Sequence, residues 1–505
     1  MHSFAPDTVE LDRRSFVDGN FLENKGAPIE VHRPSDGKIA AVFHEADEGV
    51  VDHAVTAAKE ALKRSGWATA APRQRAAVMR RWAALVEKHS LAMAQLESVC
   101  SSRPIAETLE RDVPVAIELL RFYGECADKT SGEVFETPRD VWSLTLHEPY
   151  GVVAAISPWN VPLLLATAKF APALAAGNAV VLKPSELTPF SALRMAALAV
   201  EAGLPHGLFN VLVGTGQHTG SALVRHPGVS YVTFTGSTRT GAAVMTDAAH
   251  HGMKPVSLEL GGKSPQLVFA DAPDLGRVAE MVASSITRNS GQICFCGSRL
   301  VVQRDVAQNL LERIVDRVKT ARPGPTWSEA TTLPPLISMP QAERAQRIVD
   351  QARAAGGELV CGGQRFMDGK AVFFEPTVIT NVQPGSEVLR DEVFGPVLTV
   401  QTFDNYEEGL ALAAHPLYGL SAGIHTSDID KALAAAQSVE AGVVWVNAYG
   451  RSDDIVSPFG GFKQSGFGKD FGVAAFEKYR RARNVWIRLG QPRAAAEAAH
   501  AEIAK

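Results

Sequence analysis

The sequence predicts an α/β protein with a doubly wound parallel sheet, on three observations. From Gly151 onward, apolar runs of five or six residues recur without polar alternation: VVAAIS (152–157), AVVLK (179–183), FNVLV (209–213), SYVTF (230–234), VSLEL (256–260) and PQLVF (265–269). Such runs suit strands buried on both faces, as in a parallel sheet covered by helices. The stretches between them are long enough for the helical crossovers that parallel neighbours require. A second α/β pattern then starts near Arg299 with RLVVQ and continues through VLTVQTF (397–403) and GVVWVN (442–447).

The elements follow in order. Val51, Val55, Ala58 and Leu62 repeat at helical spacing, as do Val78, Trp82, Leu85 and Met93, so two amphipathic helices come first. VWSLTLH (141–147) reads as a short strand. The greasy stretch from Val152 to Leu182 is broken by Pro158, Asn160, Pro162, Lys169 and Pro172, which makes it a buried strand–turn–helix–strand unit and not a membrane span. Residues 341–355 read as helix and the Pro- and Thr-rich 321–338 as a loop. The last fifteen residues, QPRAAAEAAHAEIAK, favour helix but carry no apolar stripe, and are expected to form a frayed tail.

With 505 residues, 46% hydrophobic and 21% charged, the chain has the composition of a globular protein with a large core. Its net charge of −5 gives no footprint for nucleic acid. Five cysteines (Cys100, Cys126, Cys294, Cys296, Cys361) form neither a disulfide framework nor a metal-ligand spacing. That usage points to a reducing cytoplasm. The N-terminus lacks the apolar core of a signal peptide.

Two residues suggest chemistry. Cys294, in RNSGQICFCGSR, follows Glu259, in VSLELGGKSP, by 35 residues. A thiol can trap a carbonyl, and a carboxylate of raised pKa can activate water, so the pair suits a two-step oxidation or hydrolysis of an acyl group. Taken singly, a cysteine is more often a buried, inert residue. Gly261, Gly262 and Gly291 favour the chemical reading, because glycine beside a polar residue marks close backbone approach or a strained turn.

No clean GxGxxG is present. GSTRTG (236–241) follows SYVTF and precedes a helix-like stretch, which places backbone N–H groups and the Ser237 hydroxyl where an anion is favoured; a plain strand-to-helix turn with a Ser cap fits equally well. In LKPSELTP (182–189), Lys183 ends a buried strand with Glu186 three residues on, a pair able to take ribose hydroxyls. Alternatively this is a surface loop with Ser185 or Thr188 capping the next helix.

ISPWNVPL, LKPSELTP, FTGSTRTG, LELGGKSP, SGQICF, EVFGP, YGLSAG and PFGGFKQSGFGKD together resemble the aldehyde dehydrogenase superfamily, in the family's order and over about residues 15 to 490. The resemblance implies an NAD-binding domain (1–126 and 150–260), a catalytic domain (261–465), an oligomerisation arm (127–149 and 466–490) and a dimeric or tetrameric assembly. It implies NAD-dependent oxidation of an aldehyde to the acid. Cys294 matches the nucleophile, Glu259 the general base, Asn160 the oxyanion-hole amide and Lys169 a proton-relaying lysine. Lys183 and Glu186 match adenine-ribose contacts, Ser237 a pyrophosphate contact, Glu392 the nicotinamide-ribose ligand and Phe394 a residue near that ring. Trp159, Ser185 and Gly236 stand with these as cofactor contacts. The substrate tunnel is expected to be lined by Phe122, Val161, Leu164, Ala168, Ile293, Phe295, Tyr449 and Phe459.

Three departures from the family pattern stand out. Asp470 occupies the place of a glutamate beside Lys169, Pro335 that of a glycine, and SSRP (101–104) that of Gly-Lys-Pro. An acid at 186 would repel a 2′-phosphate, which favours NAD over NADP. Glu259 argues against CoA-acylating semialdehyde oxidation. The presence of Cys294, Glu259 and Asn160 argues against a non-catalytic binding relative. Medium aliphatic, aromatic and amino aldehydes all remain open as substrates.

Overall fold

The computed structural model describes residues 2–450 and 454–490; the expected tail, 491–505, lies outside them. Two large sheets organise the chain. The first has eight strands. Five of them, Val152–Ile156, Ala179–Lys183, Phe209–Val211, Tyr231–Thr235 and Val256–Glu259, are parallel to their neighbours in that set and almost wholly buried, as their unalternating apolar sequences require. Antiparallel strands close both flanks: Ser15–Val17 and Asn20–Leu22 on one side, Gly466–Phe467 on the other.

Pro265–Val268, the last of the apolar runs, leaves this sheet. It lies inside a second, seven-stranded sheet, between Arg299–Gln303 and Ser421–His425 and parallel to both. Five residues, Leu260 to Ser264, therefore carry the chain from one sheet to the other. A third sheet of three strands pairs Val141–Pro149 with Arg480–Arg488 and Val134–Phe135, all antiparallel. Gly466–Phe467 and the helix Gly472–Glu477, expected in the arm, pack instead with the first sheet and its helices.

The first helix, Glu48–Ser65, starts where Asp47 accepts a hydrogen bond from Val50 N–H and stops at Gly66, whose φ of 64° is left-handed. The second amphipathic pattern is two helices. Pro72–Lys88 ends at His89, and Met93 belongs to Ser90–Cys100. Helical spacing alone does not register that one-residue break. Trp82 stacks on Phe170 at 5.1 Å, tying the N-terminal helices to the helix Pro162–Ala175 that leads away from the site.

Candidate active site

From Val152–Ile156 the chain winds outward through two strands, then returns to the other flank at Tyr231–Thr235. Where strand order reverses, crossover helices diverge and leave a crevice beyond the carboxyl ends of the strands. Ser157 and Asn160 follow one strand at that point, and Thr235, Gly236 and Ser237 the other. Ser237 caps the helix Thr238–His250, its Oγ accepting from Thr240 N–H at 3.2 Å. One strand further out, Lys183 Nζ pairs with Glu186 at 3.0 Å and donates to the Gly214 carbonyl at 3.0 Å. Ser185 accepts from Leu187 N–H, and neither it nor Thr188 caps the following helix, Phe190–Glu201, which Pro189 precedes without a side-chain cap. The helix-cap alternative for LKPSELTP therefore does not hold.

The crevice has room for polar ligand groups. Ser157 Oγ and Thr235 Oγ1 are buried and have no hydrogen-bond partner among the described residues. A helix N-terminus, a lysine and a carboxylate in one such crevice suit an anionic, ribose-bearing molecule. Trp159 and Phe394 meet edge to face, centroids 5.3 Å apart. Glu392 Oε1 accepts from Gly262 N–H at 3.3 Å, and burial raises the Glu392 pKa to about 7.

Cys294 sits in a loop of unusual backbone. Asn289, Ser290 and Gly291 have φ of 48°, 51° and 71°, three left-handed residues in succession. Asn289 Nδ2 holds the carbonyls of Asn160 and Gln292, and Asn160 Nδ2 donates to Gln292 O at 3.0 Å. One N–H of the Asn160 amide remains for another acceptor. The glycines answer to sterics around this loop. A Cβ on Gly261 would lie 2.4 Å from Glu392 Oε2, one on Gly262 2.7 Å from the Cys294 carbonyl, and one on Gly291 2.2 Å from the Gly395 carbonyl. These close approaches are between protein segments.

Burial, then the carboxyls of Glu392 and Glu259, push the Cys294 thiol above its ordinary pKa, while the N–H groups of Phe295 and Cys294 itself pull it down. Cys296 is buried, donates to the Ser285 carbonyl at 3.2 Å and is raised to about 12 by burial. Its hydrogen bond and burial make it a packing residue.

Glu259 ends its strand with both carboxyl oxygens buried and without a hydrogen-bond partner among the described residues. Burial chiefly, then repulsion from Asp470, holds its pKa well above 4.5, against the pull of Lys478, Lys169 and Lys469. Beside it lies a buried ion cluster: Asp470 meets Lys169 at 3.2 Å and Lys478 at 2.6 Å. Burial would raise Asp470, but the two lysines outweigh it and hold the carboxyl low; burial lowers Lys169. The aspartate thus keeps contact with Lys169 despite its shorter side chain. Lys478, which the sequence did not single out, is the second cation on it.

Cys294, Glu259 and Asn160 open onto one cavity of about 690 Å³. Val161, Leu164, Ile293, Phe295, Tyr449 and Phe459 line it as expected. Phe295 packs edge-on to Phe459, centroids 5.7 Å apart, and Tyr449 OH donates to the Phe295 carbonyl at 2.8 Å, fixing the loop that carries the cysteine. Phe122 and Ala168 do not line the cavity. Phe122 lies edge-on to Tyr123, and the Ala168 methyl is fully buried one turn beyond Leu164. The polar side of the cavity went unforeseen. Arg111, Arg277, Glu280 and Arg288 are on its wall, and charged residues on a helix face read from sequence as solvated. Among the described residues no cluster of His, Cys, Asp or Glu is arranged to hold a metal, and no helix is long and apolar enough to cross a membrane.

Comparison with known proteins agrees with this architecture. The family model described as "Aldehyde dehydrogenase family" matches residues 21–485. The chain is 39% identical over 485 residues to the NADP/NAD-dependent aldehyde dehydrogenase PuuC of Escherichia coli (strain K12), covering 95% of this chain and 97% of the relative. Among solved structures, it is similar to the indole-3-acetaldehyde dehydrogenase AldA of P. syringae in complex with NAD+ and IAA, with a TM-score of 0.94 and 40% identity over 96% of this chain and 98% of that one. The gamma-glutamyl-gamma-aminobutyraldehyde dehydrogenase from Burkholderia cenocepacia matches with a TM-score of 0.93 and 40% identity, again over 96% and 98%. With a family model spanning most of its length and full-length relatives at this identity, the chain belongs to the aldehyde dehydrogenase family.

Proposed function

We propose that this protein oxidises an aldehyde to the carboxylic acid with NAD, Cys294 acting as nucleophile and Glu259 as the base for water. The observation that carries this reading is the opening of Cys294, Glu259 and Asn160 onto one largely apolar-walled cavity. The switch-point crevice would hold the cofactor through Lys183, Glu186, Gly236 and Ser237, with Ser185 beside them and Trp159, Glu392 and Phe394 toward the nicotinamide. Bound there, NAD supplies the hydride acceptor. The carboxylate of Glu186 disfavours a 2′-phosphate, but its pairing with Lys183 softens that charge, so NADP is the poorer cofactor and not an excluded one.

The residues of the chain do the rest. Attack by Cys294 Sγ on the carbonyl carbon generates an oxyanion, for which the free N–H of Asn160 Nδ2 and a backbone N–H are the donors; one such donor is worth roughly 10²–10³ in rate. After oxidation a thioester remains on Cys294. Glu259, with its raised pKa and unpaired oxygens, accepts a proton from the water that hydrolyses it. Lys169 and Asp470, buried beside Glu259, offer that proton a way out. The first sheet would carry the cofactor and the second the cysteine loop, while the third sheet, with Trp142 and Trp486 exposed, would pair subunits into a dimer or tetramer. Five unpaired cysteines suit a reducing cytoplasm.

The test is NADH production with simple aldehydes. Cys294→Ala is expected to fall below a hundredth of wild type while NAD affinity, read by fluorescence titration, stays intact. Cys296→Ala should remain active. Equal loss at both cysteines would reverse the assignment.

A further inference from the structure

Above the cysteine, the cavity wall turns from apolar to cationic. The helix Leu275–Thr287 faces it through Arg277, Glu280 and Ser284, spaced at three, four and seven residues so that they share one face, and Arg288 follows directly. Arg111, from the turn Thr108–Asp112, stands on the same wall. The nearby acids are committed elsewhere. Asp112 takes Arg103 through two hydrogen bonds of 2.7 and 2.9 Å, and Glu107 pairs with Arg103 at 2.7 Å. Arg288 makes only a loose ion pair, at 3.8 Å, with the Glu107 carboxylate that Arg103 already holds. The side chains of Arg111 and Arg277 have no hydrogen-bond or ion-pair partner among the described residues.

Arg111, Arg277 and Arg288 thus face the cavity with Glu280 as the one neighbouring carboxylate not already held by Arg103, so the wall keeps an excess of positive charge. Arg111 also feels the crowding: burial, then repulsion from Arg288, lower its pKa against the pull of Asp112 and Glu107. Guanidiniums crowded together with less carboxylate than they could bind suit a planar oxyanion, which each can grip in a two-point fork. A cavity of about 690 Å³ has room for a chain running from the cysteine to this wall.

The geometry points to an aldehyde whose far end is a carboxylate, held by Arg111 and Arg288 while the carbonyl carbon reaches Cys294. This specificity rests on the oxidation proposed above. Arg277 lies eleven residues before Arg288, about 16 Å along the helix, and serves at the rim to draw the anion in.

The experiment compares three substrates differing only at the far end: 8-oxooctanoate, its methyl ester, and octanal. Wild type should favour the acid over the ester in kcat/KM by about tenfold or more, mainly through KM. Arg111→Met and Arg288→Met should each lower that ratio by about ten- to a hundredfold, and Arg288→Lys by less, because lysine keeps the charge but loses the fork. An ester oxidised as well as the acid by wild type overturns the proposal, as does a ratio unmoved in both variants. Should no aldehyde be oxidised at all, the oxidation reading fails by itself, and the cationic wall is still read by calorimetry with octanedioate. Binding by wild type that weakens in both variants supports it; no binding, or equal binding in all three proteins, sinks it.

Discussion

Burial raises the pKa of both the Cys294 thiol and the Glu259 carboxyl, and Glu259 adds to the push on the thiol, so each proton is held more tightly than in water. A nucleophile in that state must lose its proton as it attacks, so alkylation of Cys294 by iodoacetamide should keep climbing past pH 8.5 without a plateau near neutrality. Glu259→Gln separates the two half-reactions: a stopped-flow NADH burst should persist while steady turnover collapses, and an acyl adduct should appear on intact protein by mass spectrometry. Loss of the burst itself would show the carboxylate also deprotonating the thiol. The same residue has a stability signature. Its folded pKa is raised, so below about pH 4.5 both folded and unfolded states are protonated and it contributes nothing. As pH rises the unfolded chain ionises first, and wild type loses stability that the glutamine variant keeps. The Tm of Glu259→Gln relative to wild type should therefore increase from pH 4 to pH 7; a flat difference would mean the carboxyl is not buried as described.

At the scale of elements, the cysteine loop is a strained turn held by its neighbours. Left-handed backbone at Asn289 and Ser290 costs on the order of 1–3 kcal/mol per residue and persists where surroundings over-determine it. Here the Asn289 amide bonds to two carbonyls, and Ser290 Oγ donates to the Pro334 carbonyl. Gly291 sits at φ 71° with the Gly395 carbonyl in the place of a side chain. Gly291→Ala should cost more than the strain alone, lowering Tm and reducing activity more than Ser290→Gly, which relieves a left-handed residue at the loss of one hydrogen bond. Comparable melting curves for the two variants would put the strain elsewhere. Pro335, the departure from the family pattern in this region, follows the residue whose carbonyl receives Ser290.

At the scale of the molecule, the three-stranded sheet leaves Trp142 and Trp486 exposed at 56% and 67%, with Val134 at 78%. Apolar area of this kind on a paired strand is expected to be covered by another copy of the chain. Changing both tryptophans to lysine should give a smaller species by sedimentation equilibrium, with the Tm of the first transition little altered because neither side chain is in the core. An unchanged mass would place the subunit contact on another face.

The linear sequence by itself determined the buried strands and the gross α/β class, because unalternating apolar runs are local signals, and it singled out Cys294 and Glu259 as the candidate chemical pair by the glycines flanking them. Lys183, Glu186 and Ser237 stood out as candidates because they lie at or just after the end of a buried strand, whereas Trp159 came only with the family resemblance. Three things needed the tertiary structure. Strand order decided where the crevice opens, since Tyr231–Thr235 returns to the far side of Val152–Ile156 and no periodicity records that reversal. Packing decided the glycines' purpose, for Gly261 and Gly262 make room for Glu392 and the Cys294 carbonyl from distant segments. Enclosure decided charge. Lys478 and Arg111 read in the chain as ordinary cations; only the fold buries the one on Asp470 and turns the other toward the cavity without a partner, and burial is what makes a charge selective.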